Sequence, residues 1–244
     1  MESDPCELPV DRIDVWIISL LESHHPDPAG CLSADERARA ARFAFDRDRR
    51  RFAAGRGALR SILASYLRCT PSEVVFAYGE MGKPRLDASH TVRGLQFNAS
   101  GSADLAVCAV TCDRSVGIDI EQIRDEFDPD VVRYALTEGE RAELECIPAN
   151  QQTAAFYRTW TRKEGYLKAI GCGLSRPLSA FSVSVTPTET PRLLRDDLVT
   201  TATQCWSFTD FDPAPGWVGT VVCSGPPLAV RLHACDALKA PRVL

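Results

Sequence analysis

The chain lacks any apolar run of membrane-spanning length, which excludes a hydrophobic spanning helix. Ten cysteines are present, yet none forms a C-x-x-C and none clusters with histidine at zinc spacing. They read as reduced, small buried hydrophobes. Met1-Glu-Ser-Asp-Pro5 has neither the basic nor the apolar region of a signal peptide, so the expected address is the cytoplasm. Gly79-x-x-Gly82-Lys83 is too short for a P-loop, and Gly171-Cys-Gly173 lacks the rest of a dinucleotide fingerprint. His24-His25 lies in a proline-rich loop without partner cysteines and reads as a solvated pair. Net charge is -5 and aromatic–basic interleaving is absent, so no nucleic-acid partner is expected.

What is present is ordinary in amount and unusual in arrangement. The 244 residues suffice for one large domain or two small ones, and 45% hydrophobic with 25% charged content suits a globular chain. Charge is segregated: residues 37–68 hold ten Arg against two Asp, while residues 113–146 hold eleven Asp or Glu against four Arg. Each run alone is a solvated helix face. Together they suggest an anionic ligand between a basic wall and a metal-binding acidic one.

Residues 14–21 read as an apolar strand, and Pro26, Pro28 and Gly30 mark a loop. Ser33-Ala-Asp-Glu36 is a capping box opening a helix to about Phe43. A longer helix follows from Asp46 to Arg68, with Leu59, Ile62, Leu63, Tyr66 and Leu67 as its apolar stripe. Strands are expected at 74–77, ending near 95–100, and at 105–110 and 116–121. The order then recurs. Leu136 to Ala142 matches Leu32 to Ala38 at an offset of 104, again with a capping box. Trp160 to Ile170 lies over Phe52 to Ile62 at an offset of 108, which sets Glu164 opposite Arg56 and keeps Arg60 and Lys168 in common. Later strands are expected at 180–185, 205–209, 216–222 and 228–232.

Two stretches carry the chemistry. In Phe156 to Gly171, Phe156, Trp160, Leu167 and Ile170 have helical spacing, and Glu164 and Lys168 stack four apart. On those two residues alone an exposed ion pair is the favoured reading. Upstream, Ser115-Val-Gly-Ile-Asp-Ile-Glu-Gln122 reads as a strand, with Asp119 and Glu121 on one face and Ile118 and Ile120 on the other. Two strand carboxylates and a helical third make a cage for a hard divalent cation.

Val116-Gly-Ile-Asp-Ile-Glu121 and Trp160-Thr-Arg-Lys-Glu-Gly-Tyr-Leu-Lys168 resemble the two signature motifs of the 4′-phosphopantetheinyl transferases, in the larger, single-chain, surfactin-synthetase-activating group. Gly82-Lys-Pro84, Phe97-Asn-Ala-Ser100 and Leu32 to Arg60 extend the resemblance through nearly the whole chain. It implies an α+β fold of two pseudo-two-fold-related halves, 1–112 basic and 113–244 acidic and catalytic, with the site between them. It implies a monomeric, magnesium-dependent enzyme that moves the arm of coenzyme A to a serine of an acyl or peptidyl carrier protein, without membrane association. Asp119, Glu121 and Glu164 carry over as metal ligands, Glu164 also as the base, and Lys168 as the cation at the transferred phosphate. Arg39, Arg51, Gly82, Lys83, Pro84 and the Asn98-Ala99-Ser100-Gly101 strand carry over as coenzyme A contacts, with Asp119, Glu164 and Lys168 beside them.

Two positions depart from the family. Ser100-Gly101-Ser102 stands where Ser-His-Ser is usual, so the histidine side chain that contacts a phosphate in the family is missing at Gly101; this keeps open a non-catalytic module that binds coenzyme A or a carrier protein. Gly165 replaces the usual Ala or Ser inside a helix, at about 1 kcal/mol. A metal-dependent nucleotidyl or phosphoryl transferase is the other enzyme class, distinguished by the nucleotide it releases.

Overall fold

The computed structural model describes residues 8–21, 30–79, 81–90, 94–125 and 128–235. The first half runs β1 (Arg12–Ser19), α1 (Ala34–Ala41), α2 (Asp46–Leu67), the hairpin β2 (Phe76–Tyr78) and β3 (Pro84–Leu86), and the hairpin β4 (Leu95–Ser102) and β5 (Leu105–Cys112). The second half follows the same order. It runs β6 (Val116–Gln122), α3 (Pro129–Ala135), α4 (Glu138–Glu145), α5 (Ala149–Ile170), β7 (Phe181–Val183) with β8 (Leu193–Asp196), and β9 (Trp206–Phe211) with β10 (Trp217–Ser224). Strand order repeats too, β1-β5-β4 in one sheet and β6-β10-β9 in the other. A final strand, β11 (Ala229–Ala234), returns from the second half and pairs parallel with β1, covering that strand's outer edge.

Alternation along the strands builds four layers. Ile13, Val15, Val107 and Ala109 of the first sheet share one core with Val116, Ile118, Ile120 and Val221 of the second. On the outer face of the first sheet, Trp16, Cys108 and Val110 pack with Leu59, Ile62, Leu63 and Tyr66 of α2. On the outer face of the second, Val222 and Phe208 pack with Phe156, Tyr166 and Leu167 of α5. The order is therefore helix, sheet, sheet, helix, an α+β arrangement. Buried Asp14 ties the first half together, accepting from Arg12 Nε at 3.0 Å and Tyr66 Oη at 2.9 Å, with His233 Nε2 of β11 at 3.2 Å.

The local signals form as the residues dictate. Ser33 and Glu36 close one capping box, Thr137 and Glu140 the other. Some boundaries differ: β1 begins at Arg12, not residue 14, and α1 ends at Ala41. Helix α3 and strand β8 have no counterpart in the sequence reading; each is too short for a periodic signal. His24, His25, Pro26 and Pro28 lie outside the described residues. Cys69, Cys108, Cys112, Cys146, Cys172, Cys205 and Cys223 are free thiols, as expected, although Cys146 and Cys205 are exposed.

The internal repeat needs a correction. Helices α2 and α5 are both 22 residues long, start at 46 and 149, and end in left-handed caps at Arg68 and Gly171, a spacing of 103 rather than 108. Buried contacts fix that register. Arg60 donates to Glu36 at 2.7 Å and to the Val74 carbonyl at 2.7 Å. Lys163 donates to Glu140 at 2.6 Å and to the Phe181 carbonyl at 3.1 Å. Arg60 and Lys163 are thus the equivalent cations, each holding the capping-box glutamate of the preceding helix. A slip of five residues turns a helix face by about 140°, so the pairing of Glu164 with Arg56, and of Lys168 with Arg60, does not hold.

Glycines set how closely α5 lies on its sheet. A Cβ at Gly117 of β6 would sit 2.2 Å from the Gly165 carbonyl oxygen and 2.3 Å from the Ala169 nitrogen. A Cβ at Gly165 would meet Val222 Cγ2 at 3.1 Å and the Thr220 carbonyl at 3.4 Å. Only backbone faces Gly117, so Gly117→Ala must lift α5 and should cost about 1–3 kcal/mol or more. Gly165→Ala needs Val222 to give by only a few tenths of an ångström and regains about 1 kcal/mol of helix propensity, so it should cost far less than Gly117→Ala. Thermal melts of the two variants check the contrast.

Glu36 supplies a pH test. Burial alone would raise its pKa, but hydrogen bonds from Arg60, the Ser33 N–H and Arg56 outweigh it and hold the pKa below the usual value. The stabilisation is therefore complete above about pH 4.3 and is lost as pH falls through the lowered folded-state pKa. Glu36→Gln should destabilise by about 3 kcal/mol at pH 7, leaving two arginines short of their partner. The gap between wild type and variant should narrow as urea melts are taken into that acid window.

Candidate active site

The two sheets meet along β4 and β6, and the expected site lies on that seam. Strand alternation turns Asn98, Ser100 and Ser102 of β4 to β6, and each makes a cross-link. The Ile118 N–H donates to Asn98 Oδ1 at 2.9 Å. Ser100 Oγ donates to Asp119 Oδ1 at 2.7 Å. Ser102 Oγ donates to Glu121 Oε2 at 2.7 Å. Gly117, Asp119 and Glu121 face α5, as the strand pattern requires, and α5 brings Glu164 and Lys168 over them. Lys168 Nζ donates to Asp119 Oδ1 at 2.6 Å and to Ser100 Oγ at 2.8 Å.

The electrostatics are those of an acidic site short of positive charge. Burial raises the pKa of Glu121, with the Asp119 charge adding to it against the Ser102 hydrogen bond and Lys168. Burial likewise raises Glu164, reinforced by Asp119 and Glu121 and opposed by Lys168. The three expected ligands therefore sense one another. Among the described residues no three His, Cys, Asp or Glu side chains form a ready-made metal cage. The donor set nevertheless fits a hard cation: Asp119 is 4% exposed, and its Oδ2 is buried without a hydrogen-bond partner.

On the α2 side of the seam lies a cavity of about 560 Å³, lined by Arg39, Arg51, Phe52, Arg56 and the 99–103 turn of β4. Arg39 is exposed and stacks over Phe52 at 5.3 Å. Arg51 pairs with Asp104, and Arg56 with Glu36 at 2.5 Å and Tyr78 Oη at 2.7 Å. A smaller cavity of about 230 Å³ is lined by Glu121, Arg124, Asp128, Val131, Phe156, Tyr157 and Trp160. The Ser102–Glu121 hydrogen bond has one partner in each cavity. Trp160 is only partly buried and lines the smaller one.

Other expected residues take different places. Lys83 donates to the carbonyls of Lys168 at 2.5 Å, Val116 at 3.1 Å and Ala169 at 3.4 Å, capping the end of α5. Burial holds its pKa down to about 8. Its three donors are engaged by backbone carbonyls. Gly82, with φ of 77°, shapes the turn before it, and Pro84 opens β3. Asn98, expected at the nucleotide, is buried and cross-links the sheets. Ala99 and Gly101 share the β4 face turned to α2. Lys163 is a buried structural ion pair with Glu140. Ser102 and Gly117 were not singled out as site residues by sequence, and Arg56 entered only through the repeat; the two-residue spacing of Asn98, Ser100 and Ser102 is the signal for the first.

Both halves of the chain are similar to known proteins. The model of the 4′-phosphopantetheinyl transferase superfamily matches residues 115–223, and that of the 4′-phosphopantetheinyl transferase N-terminal region matches residues 22–113. The 4′-phosphopantetheinyl transferase HetI of Nostoc sp. is 41% identical over 219 residues, covering 88% of this chain and 89% of its own. The 4′-phosphopantetheinyl transferase Sfp of Bacillus subtilis is 30% identical over 152 residues, covering 62% of this chain and 66% of its own. Among solved structures, a Bacillus anthracis holo-(acyl-carrier-protein) synthase in complex with CoA (3′,5′-ADP) is 22% identical, with a TM-score of 0.36, over 46% of this chain and 96% of that one. With two family models side by side and a relative similar over most of its length, the chain belongs to the 4′-phosphopantetheinyl transferase superfamily.

Proposed function

We propose that the chain is a 4′-phosphopantetheinyl transferase that moves the arm of coenzyme A to a serine of an acyl or peptidyl carrier protein and releases adenosine 3′,5′-bisphosphate. One observation carries the reading: Asp119, Ser100 and Lys168 form a compact hydrogen-bonded cluster, flanked by Glu121 and Glu164, beside an arginine-lined cavity. Residues 1–112 supply the basic wall and residues 113–244 the acidic one. The protein works as a monomer in the cytoplasm.

Asp119, Glu121 and Glu164 would hold Mg²⁺. Bound there, the ion supplies charge neutralisation on the pyrophosphate, typically several kcal/mol of transition-state stabilisation. Arg39 and Arg51 receive the nucleotide phosphates at the cavity wall. Ala99, Ser100 and Gly101 let the ligand approach the strand backbone. Lys168, held at the seam by Asp119 and Ser100, neutralises the phosphate in transfer. The carrier serine oxygen forms the new bond to phosphorus, the bond to the bisphosphate leaving group breaks, and Glu164 accepts the serine proton directly or through a water. Gly82, Lys83 and Pro84 act through the end of α5, fixing the helix that bears Glu164 and Lys168.

Incubation of an apo carrier protein with coenzyme A and Mg²⁺ should add the mass of one phosphopantetheine arm per carrier. EDTA should abolish the gain. Glu164→Gln should slow transfer by on the order of 10²-fold or more, with the melt retained. Transfer at normal rates by that variant would remove Glu164 from the mechanism, and no mass gain with any carrier would favour the binding module.

Gly101 is compatible with activity, because the carboxylates and Lys168 are in place without it. A Cβ there would lie 3.4 Å from the Leu105 carbonyl oxygen and 3.6 Å from Ala106 Cβ, ordinary contact distances. Gly101→His should therefore fold, and should lower KM for coenzyme A severalfold with a smaller change in kcat, as one added phosphate contact would. An inactive wild type restored by this substitution would mean that the glycine disables the enzyme.

A further inference from the structure

We infer that Ser100 and Ser102 set the metal preference of the site by holding one oxygen of each β6 carboxylate. The inference rests on the reading of Asp119, Glu121 and Glu164 as magnesium ligands and goes one step beyond it. Asp119 Oδ1 accepts from both Ser100 and Lys168, while its Oδ2 is buried and free of hydrogen bonds. Glu121 Oε2 accepts from Ser102. Asp119 Oδ1 has two donors on it and Glu121 Oε2 has one, so chelation through both oxygens would compete with these bonds, and each carboxylate is biased to offer its other oxygen.

One oxygen per carboxylate is what Mg²⁺ requires, with short octahedral bonds and retained waters; Ca²⁺ takes six to eight longer bonds and readily chelates both oxygens of one carboxylate. The serines thus withhold the bidentate mode that would admit calcium. Their placement is not local chance. Ser100 and Ser102 lie two apart on β4, Asp119 and Glu121 two apart on β6, and both pairs share the seam at one residue offset of 19. The residue between the serines turns to the other face, so changes at Gly101 leave this anchoring intact.

Ser102 gives the cleaner test, since Ser100 also touches Lys168. Full-length protein saturated with coenzyme A is titrated calorimetrically with MgCl₂ and with CaCl₂, as wild type, Ser102→Ala and Ser102→Thr. Ser102→Ala should move the calcium-to-magnesium affinity ratio about tenfold toward calcium, the size typical of lost support to a metal ligand. Ser102→Thr keeps the hydroxyl and should keep the ratio. A purely structural serine would weaken both ions together and leave the ratio unchanged. An unchanged ratio in Ser102→Ala, with magnesium still bound, overturns the role of the serine and spares the magnesium reading. A wild type that binds no magnesium in the presence of coenzyme A overturns both.

Discussion

Strands β4 and β6 belong to different sheets, yet they run side by side, and the links between them include side-chain hydrogen bonds from Asn98, Ser100 and Ser102. That seam imposes the main constraint on the molecule. It buries Asp119, a charge whose desolvation must be offset where it stands. Ser100 and Lys168 do so at one oxygen only. Lys168 can reach because α5 lies directly on β6, and α5 lies there because Gly117 presents no side chain to it. Lys83 then fixes the end of the helix through three carbonyls, one of them on β6 itself. A strand glycine, a helix-end lysine and two serines thus place the acidic groups before any of them meets a ligand.

The two halves share a scaffold and differ in what they hang on it. Glu36 with Arg60, and Glu140 with Lys163, are one device used twice: a capping-box glutamate receives a cation from the long helix that follows. Glu164 and Lys168, the proposed reacting groups, have no such counterparts. At the spacing of 103 they lie opposite Ser61 and Ser65. The repeat therefore explains the layers and the helix seats, whereas the proposed catalytic pair belongs to the second half alone.

This difference also marks what the amino-acid sequence reveals. Capping boxes, the α2 stripe and the alternation of β6 are local signals, and the chain obeys them. The register of the repeat is another matter. Similar residue types, Trp160 with Phe52 and Lys168 with Arg60, favour an offset that the buried Arg60 and Lys163 contacts reject. One-dimensional similarity weighs side-chain type, while packing weighs helix rotation. The nearness of Asp119, Glu121 and Glu164 to one another was legible because both motifs are compact. Ser102 and Gly117 were not, since their meaning lies in an approach between strands and helix that spacing within one segment does not encode. Lys83 shows the same limit: nothing in its own segment signals the three backbone carbonyls it bonds.

Charge segregation, prominent in the sequence, is partly neutralised by the fold. In the basic run, Arg51, Arg56 and Arg60 pair with Asp104 and Glu36, and Arg49 with Asp46. In the acidic run, Glu140 pairs with Lys163 and Asp119 with Lys168. Other charges of both runs stay at the surface; at the seam, Arg39 is exposed at the wall of the larger cavity, and Glu121 and Glu164 have pKa values raised by burial and by neighbouring charge. A lone anion would relieve the arginine and worsen the carboxylates; a lone cation would do the reverse. An anion that carries its own divalent cation satisfies both walls at once, and a magnesium-bound pyrophosphate has that composition. The residual charges therefore favour a ligand that bridges the halves over one confined to either.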